Sequence, residues 1–231
     1  WSRDNKAVYR DGSTYCFGCK KYTPPKKWEA PEPQMSNEIS LPTKVVSPVP
    51  DNANRKWLLQ YLNNEEIDKY FMYDLGAERH IAPVYQNNKL VYWESRSVTG
   101  GSPKAISYGQ KPYEILPSRN GECDVLVIVE DYVSAIKVSR FYNALPLFGS
   151  YLPLDKLNNL VNNPKSEWIL IWLDHDMFGT SLNMARKLAN LGKSCGIINT
   201  SKDPKSNTNE EIIQAVEEIT LEPMGYFDTP A

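Results

Sequence analysis

The most constraining feature of this sequence is a short apolar run, residues 168–173, which is followed by two carboxylates, Asp174 and Asp176. A continuous apolar run of this length is typical of an interior strand in a parallel sheet that is covered on both faces. If the chain stays extended through residue 176, the two-residue period of a strand places both carboxylates on one side. Neighbouring carboxylates repel each other and favour a hard cation such as Mg²⁺ between them, although Asp is also common in a loop before a helix.

A second apolar strand, residues 124–129, ends in the same way, with Glu130 and Asp131. A helical pattern follows over residues 132–142, so that each acidic strand end leads into a helix. In a parallel α/β sheet, ligands bind outside the carboxyl ends of the strands. The sequence therefore predicts that Glu130 and the two aspartates converge at one edge of the sheet.

The segments Val-Ile-Val-Glu130 and Leu-Asp174-His-Asp176 resemble the Toprim domain of bacterial and phage primases, topoisomerases and related nucleases. This resemblance implies an α/β fold with a parallel sheet and flanking helices. It also implies that Glu130, Asp174 and Asp176 are catalytic and hold one or two Mg²⁺ or Mn²⁺ ions. Asp203, in a Lys-Asp-Pro-Lys tetrad, matches a third acidic step of the metal site, although Asp-Pro is also a common turn. The family usually has Gly where this chain has Asp131.

A smaller α+β lobe is predicted before the Toprim-like region. Helical patterns cover residues 54–62 and 64–71, and two alternating strands, 79–85 and 90–96, flank an Asn-Asn turn. In primases the corresponding lobe carries an Arg and, a few residues later, a Lys that face the catalytic cleft. The resemblance implies this role for Arg96 and Lys104, which would neutralise triphosphate or template phosphates. The alternative is ordinary solvated charge on an edge strand.

Near the start of the chain, Cys16 and Cys19 have the spacing of a zinc knuckle at the end of a hairpin. A structural zinc site needs four ligands, and no second Cys-x-x-Cys pair is present in the sequence. One interpretation is half of a zinc ribbon whose first pair lay upstream, and the other is a tight turn with two thiols. The segment resembles the second half of the zinc-binding domain of phage-type primases, which implies Zn²⁺ in the intact parent protein.

The predicted domains follow in order along the chain. They are the partial zinc ribbon (1–23), a proline-rich linker (24–50), the small lobe (51–119), the Toprim domain (120–222) and a tail (223–231). Residues 106–118 are expected to form a connection into the sheet. Within the Toprim domain we expect a strand near 145–148, a helix over 155–163, a helix capped by Thr180 or Ser181 and stopped by Gly192, a strand over 196–200 and a helix over 209–219.

Composition limits the functional classes. The net charge is −2, so a nucleic-acid-binding surface must be local rather than a property of the whole chain. The four cysteines fit a reducing compartment better than a disulfide framework, and no apolar run is long enough for a membrane span. We therefore expect no membrane partner and a location in the cytoplasm, that of the host cell if the protein is viral.

The order of these regions resembles a phage-type primase or the primase part of a primase–helicase. The resemblance implies Mg²⁺-dependent synthesis of short RNA primers from ribonucleoside triphosphates on single-stranded DNA, with a helicase partner in cis or in trans. No Gly-x-x-x-x-Gly-Lys-Ser/Thr loop is present, so a helicase motor is not expected within this sequence. Two other classes remain open: a Toprim nuclease, which would use the same carboxylates to cleave, and a non-catalytic nucleic-acid-binding module.

Overall fold

The structure is a computed structural model that describes residues 6–8, 13–16, 20–23, 39–162 and 166–220. The chain divides into two compact units, Trp1–Pro112 (unit 1) and Tyr113–Ala231 (unit 2). Among the described residues, no helix combines the length and the apolar character needed to span a bilayer. The predicted tail, residues 223–231, and residues 24–38 of the predicted linker lie outside the described residues.

Unit 1 begins with a small antiparallel sheet in the order β1–β2–β3. Its strands are β1 (Lys6–Val8), β2 (Thr14–Cys16) and β3 (Tyr22–Thr23). Cys16 therefore ends the central strand of this sheet, and Cys19 lies outside the described residues. The zinc knuckle remains a prediction.

The second sheet of unit 1 has five antiparallel strands in sequence order. The elements of this region are β4 (Val45–Val46), α1 (Ala53–Leu58), α2 (Asn64–Tyr70), β5 (Met72–Asp74), β6 (Arg79–Gln86), β7 (Lys89–Arg96) and β8 (Ala105–Gly109). The predicted hairpin is confirmed: Gln86 pairs with Lys89, and Asn87 and Asn88 between them have φ values of 50° and 60°. Asn tolerates this left-handed conformation, which matches the twist of the flanking strands.

Two predictions for unit 1 were wrong. Residues 45–46, predicted as linker, form β4 and pair with β5, and the nearby Val49 is 1% exposed. Residues 106–109, predicted as a connection, belong to β8, which pairs with β7 along its whole length. All five residues of β8 are exposed, so this edge strand lacks the alternation of apolar and polar residues by which a half-buried strand is recognised.

Unit 2 contains a four-stranded parallel sheet in the order β10–β9–β11–β12. Its elements are β9 (Val125–Val129), α3 (Tyr132–Val138), β10 (Asn143–Pro146), α4 (Leu154–Val161), β11 (Trp168–Trp172), α5 (Phe178–Asn190), β12 (Ser194–Ile197) and α6 (Asn209–Thr220). This arrangement confirms the predicted α/β class with a parallel sheet and flanking helices. Residues 113–119, predicted as the end of the small lobe, lie in unit 2, where Leu116 bridges to Ala144.

The central strands of unit 2 are buried on both faces. Leu126 and Ile128 of β9 pack in one core cluster with residues of α4 and α5. Val125, Val127 and Val129 pack in a second cluster with residues of α3 and α6. Helices on both sides of the sheet explain why the strands are continuous apolar runs rather than alternating ones. They also leave the strand ends as the place where polar groups emerge from the sheet.

The start of α5 differs from the prediction. The helix begins at Phe178, directly after a 3₁₀ turn over His175–Met177, so neither Thr180 nor Ser181 is its cap. The Ser181 hydroxyl instead donates to the Met177 carbonyl oxygen, at 3.3 Å. The predicted stop is confirmed, because Gly192 follows the helix with φ of +80°, a conformation that glycine adopts without strain.

Candidate metal centre at the carboxyl edge of the parallel sheet

The two acidic strand ends are neighbours in the sheet of unit 2. Strands β9 and β11 pair in parallel with Val129 opposite Trp172, so both strands end at the same edge. Glu130 directly follows β9, and Asp174 comes two positions after the end of β11. The sheet therefore brings together two residues that are separated in the sequence by two helices and two strands.

Glu130 is partly buried at this edge. Its Oε2 atom is shielded from solvent and has no hydrogen-bond partner. Burial raises the pKa of Glu130 to about 7, and the negative charges of Asp174, Asp131 and Asp176 act in the same direction. A carboxylate that is desolvated, surrounded by other carboxylates and short of one hydrogen bond is costly to keep unless a cation binds it.

Asp174 is in a similar environment. Its Oδ1 atom is also buried without a hydrogen-bond partner. Burial raises the pKa of Asp174 to about 6; the carboxylates of Asp203, Asp131 and Asp176 add to the rise, and the ammonium group of Lys205 opposes it. The charges of four neighbouring side chains thus all act on this one carboxylate.

The reason predicted for the approach of Asp176 was wrong, because the chain does not stay extended after Asp174. Residues His175–Met177 form the 3₁₀ turn, and the Met177 amide donates to the Asp174 carbonyl oxygen at 2.8 Å. Asp176 is exposed on this turn, yet its charge raises the pKa of both Glu130 and Asp174. A turn, rather than the strand period, therefore sets the position of Asp176.

Asp131, the residue after Glu130, has two contacts that sequence reasoning missed. Its Oδ1 atom accepts a hydrogen bond of 2.8 Å from the Ser134 amide and so caps the N-terminus of α3. Its Oδ2 atom lies 2.7 Å from Lys205 Nζ. The helix-capping contact is detectable from sequence, since Asp is a favoured N-cap residue, but the ion pair is not.

Lys205 was also missed as part of this site. Its side chain is 9% exposed, and Nζ lies 2.7 Å from Asp131 Oδ2 and 2.9 Å from Asp203 Oδ2. Burial alone would lower the pKa of Lys205, but the two carboxylates outweigh this effect and raise it. Asp203, predicted as a metal ligand, therefore has one of its oxygens bound to an ammonium group in this structure.

Within the described residues, no three His, Cys, Asp or Glu side chains are arranged so that they hold a metal ion together. Two hard oxygen donors without partners, Glu130 Oε2 and Asp174 Oδ1, nevertheless lie at this edge. Mg²⁺ is commonly bound through one or two carboxylates, with water and substrate phosphates completing its octahedral shell. The donor set therefore fits a magnesium ion that the protein binds only in part.

The other predicted binding residues, Arg96 and Lys104, both lie in unit 1. Arg96 ends β7 and pairs with Ala105, the residue after Lys104, so the two positions are neighbours across β7 and β8. The Arg96 guanidinium lies 5.0 Å from the centroid of the Trp57 ring, a cation–π contact, and Lys104 is exposed. The Ser97 amide donates to the Lys104 carbonyl oxygen at 2.9 Å and fixes the backbone between them.

Comparison with known proteins gives structural likeness only. No family model and no curated protein sequence matches the chain. The primase fragment of the bacteriophage T7 primase-helicase protein superposes with a TM-score of 0.53 at 15% identity, over 95% of this chain and 95% of that one. The zinc-binding and RNA polymerase domains of the Aquifex aeolicus primase give a TM-score of 0.52 at 15% identity, over 75% of this chain and 50% of that one.

These likenesses define the class of fold. The chain has a primase fold, with the mixed α/β architecture and parallel sheet of primase cores. The T7 fragment and this chain correspond over nearly their whole lengths, which extends the likeness to both units. At this level of identity the likeness shows the fold alone.

Proposed function

We propose that this chain is a phage-type DNA primase, which synthesises short RNA primers on single-stranded DNA by Mg²⁺-dependent nucleotidyl transfer. One observation carries the proposal. In a chain with a primase fold, the buried oxygens without partners, Glu130 Oε2 and Asp174 Oδ1, belong to adjacent strand ends. A protein keeps such costly groups where a ligand satisfies them.

In the proposed reaction, Glu130 and Asp174 would hold the divalent ion at the edge of the sheet, and Asp176, on the adjoining turn, would add negative charge to the site. A bound magnesium ion neutralises phosphate charge and lowers the pKa of the attacking primer hydroxyl. Glu130 acts as a ligand, because its unpartnered oxygen is already shielded from bulk water. The half-buried position of Asp174 makes its attraction for a cation stronger than that of an exposed carboxylate.

Arg96 and Lys104 bind phosphates of the incoming ribonucleoside triphosphate or of the template. The contact between Arg96 and the Trp57 ring restrains the guanidinium, which favours bidentate phosphate binding. Lys104 supplies a point charge from an exposed position. Cys16 and Cys19 contribute to zinc binding in template recognition, and a helicase in cis or in trans supplies the single strand.

The proposal is tested by primer synthesis on mixed-sequence single-stranded DNA with labelled ribonucleotides, a diribonucleotide to bypass initiation, and Mg²⁺. Asp174→Ala and Asp176→Ala are compared with Asp124→Asn. Asp124 is a matched control, because it immediately precedes β9 and so lies at the opposite end of that strand from Glu130. We expect RNA products from the wild type and from Asp124→Asn, and none from the other two variants.

The same gel is scored for template cleavage. Cleavage without synthesis, abolished by the same two substitutions, would assign the chain to the Toprim nucleases. Binding of single-stranded DNA with neither product would identify a non-catalytic nucleic-acid-binding module. Synthesis that survives Asp174→Ala would refute the metal site itself.

A further inference from the structure

Lys205 places a positive charge among the carboxylates at the edge of the unit 2 sheet. We call these carboxylates the acidic cluster; they are Glu130, Asp131, Asp174 and Asp203. Its ammonium group contacts one oxygen of Asp131 and one of Asp203, at 2.7 Å and 2.9 Å, and its side chain is 9% exposed. By comparison, the neighbouring Lys202 pairs with Glu211 at 3.1 Å, and both of those side chains are largely exposed. Exposed ion pairs of the second kind contribute little, whereas a shielded pair has a strong effect on the groups around it.

The position of Lys205 is fixed by contacts away from its charged end. Lys137 of α3 is 8% exposed and donates from Nζ to the Lys205 carbonyl oxygen at 2.8 Å. The side-chain amide of Asn207, 5% exposed, donates to the Asp203 carbonyl oxygen at 2.9 Å. The short turn that carries Asp203 and Lys205 is therefore held against α3, and the ammonium group has a defined place at the edge of the sheet.

The contacts divide the acidic cluster into two halves. In one half, both oxygens of Asp131 are engaged, Oδ1 by the Ser134 amide and Oδ2 by Lys205, and one oxygen of Asp203 is engaged by the same lysine. In the other half, Glu130 and Asp174 each have a buried oxygen with no partner. A cation of the protein itself engages the first half, whereas the second half offers oxygens without protein partners.

We propose that the Lys205 ammonium is a resident cation that occupies the place of a second divalent ion, so that this site binds one metal ion and not two. The inference rests on the proposed function, since it concerns the same carboxylates. An ammonium group and a metal ion compete for the same carboxylate oxygens, and a fixed lysine has the advantage of being always present. Lys205 is thus a positioning residue: it orients Asp131 and Asp203 and limits metal stoichiometry.

The test counts bound ions directly, without reference to activity. Mn²⁺ alone is titrated into the full chain, and free ion is followed by electron paramagnetic resonance. We expect one ion per chain for the wild type and two for Lys205→Met, which removes the charge but keeps the length of the side chain. The matched control is Lys202→Met, which removes a neighbouring exposed lysine and should still give one ion.

A double variant locates the second ion. Asp174→Asn should abolish Mn²⁺ binding in the wild-type background, whereas Lys205→Met combined with Asp174→Asn should still bind one ion, through Asp131 and Asp203. Thermal unfolding supplies an independent readout. Without metal, Lys205→Met should have a lower Tm than the wild type, and Mn²⁺ should raise its Tm by more than it raises that of the wild type.

The outcomes separate this inference from the proposed function. No Mn²⁺ bound by the wild type would remove the metal site and the function built on it. Two ions bound by the wild type, or one ion bound by both the wild type and Lys205→Met, would overturn the role of Lys205 and leave the proposed primase intact. If Lys205→Met does not fold, Lys205→Gln, which keeps a hydrogen-bond donor for Asp131, takes its place in the same titration.

Discussion

The two units differ in whether their buried polar side-chain atoms have hydrogen-bond partners. In unit 1, Asn54 Oδ1 lies 3.2 Å from the His80 backbone nitrogen and 2.9 Å from its Nδ1, and the Asn54 amide nitrogen donates to the Glu78 carbonyl oxygen. In unit 2, Glu130 Oε2, Asp174 Oδ1 and the Ser134 hydroxyl are buried without partners, and in the described part of the chain all such atoms belong to this unit. Unit 1 uses these buried polar groups to stabilise its fold, whereas unit 2 also contains buried carboxylate oxygens that remain available for a ligand.

His80 illustrates how a buried polar group stabilises the fold of unit 1. Its ring stacks on Trp57 with centroids 5.3 Å apart and meets the edge of Phe71. Burial lowers the pKa of His80 to about 3, and the nearby guanidinium groups of Arg96 and Arg79 act in the same direction. The ring is therefore neutral, and since an amide oxygen only accepts, Nδ1 carries the proton that it shares with Asn54. A titratable residue in this setting is a structural one.

The largest expected effect comes from neutralising an unpartnered carboxylate. Asp174→Asn should reduce Mg²⁺-dependent primer synthesis by about 100-fold or more, the scale on which loss of one electrostatic catalytic contact acts. At pH 8 without metal, the same change should raise Tm, because it removes a charge that burial disfavours. Primer synthesis and thermal unfolding, measured on one preparation, check the expected loss of activity and the expected rise in Tm. A fall in Tm would show that Asp174 is a structural residue like His80.

A smaller effect, on stability alone, is expected when the hydrogen bonds of Asn54 in unit 1 are removed. Asn54→Ala should lower the free energy of unfolding by about 1–3 kcal/mol, because it leaves the His80 backbone N–H buried without an acceptor. Mn²⁺ binding should be unchanged, since Asn54 belongs to unit 1 and the carboxylates belong to unit 2. Urea unfolding followed by circular dichroism measures the loss. Gln60→Ala, at an exposed position just after α1, is the control and should change stability by less than about 0.5 kcal/mol.

The change of folding stability with pH should have opposite signs in the two units. His80 has a lowered folded-state pKa, so its contribution to stability is present above its unfolded pKa and is lost as pH falls toward 3. Glu130 and Asp174 have raised folded-state pKa values, about 7 and about 6. For these two, the native state binds more protons than the unfolded state, so metal-free stability falls as pH rises from about 4 to about 7.

Hydrogen exchange measured by mass spectrometry, corrected for intrinsic rates, follows each unit separately between pH 5 and pH 8. Without metal, peptides of the unit 2 sheet should gain protection on acidification, and those around His80 should lose it. Glu130→Gln should flatten the unit 2 trend and leave that of unit 1 unchanged. Equal slopes in both units would contradict the contrast drawn between them.

The elements that sequence predicted well are those set by local pattern. The strand before Glu130 and the strand before Asp174 are continuous apolar runs, and the turn at Asn87 and Asn88 has a strong local preference. The position of Glu130 near Asp174 followed from a general rule of parallel sheets. The rule depends on strand order, which the right-handed connection between parallel strands restricts to few choices.

What the sequence did not reveal depends on contacts distant along the chain. Lys205 reads as an ordinary surface lysine, because nothing near it in sequence predicts that it reaches Asp131, 74 positions away. The 3₁₀ turn after Asp174 was missed because an Asp at a strand end is compatible with either an extended chain or a turn. Strand β8 was missed because every residue in it is exposed, and pairing with β7 rather than its own pattern makes it a strand.

The distance between Asp131 and Lys205 along the chain also has a consequence for folding kinetics. Parallel pairings of high sequence separation form slowly, because a long loop must close before any contact compensates for its lost entropy. We therefore expect the acidic edge to assemble late, after β9 and β11 have joined and the turn at Lys205 has docked on α3. A divalent ion that recognises only the finished edge should slow unfolding while leaving the rate of folding nearly unchanged.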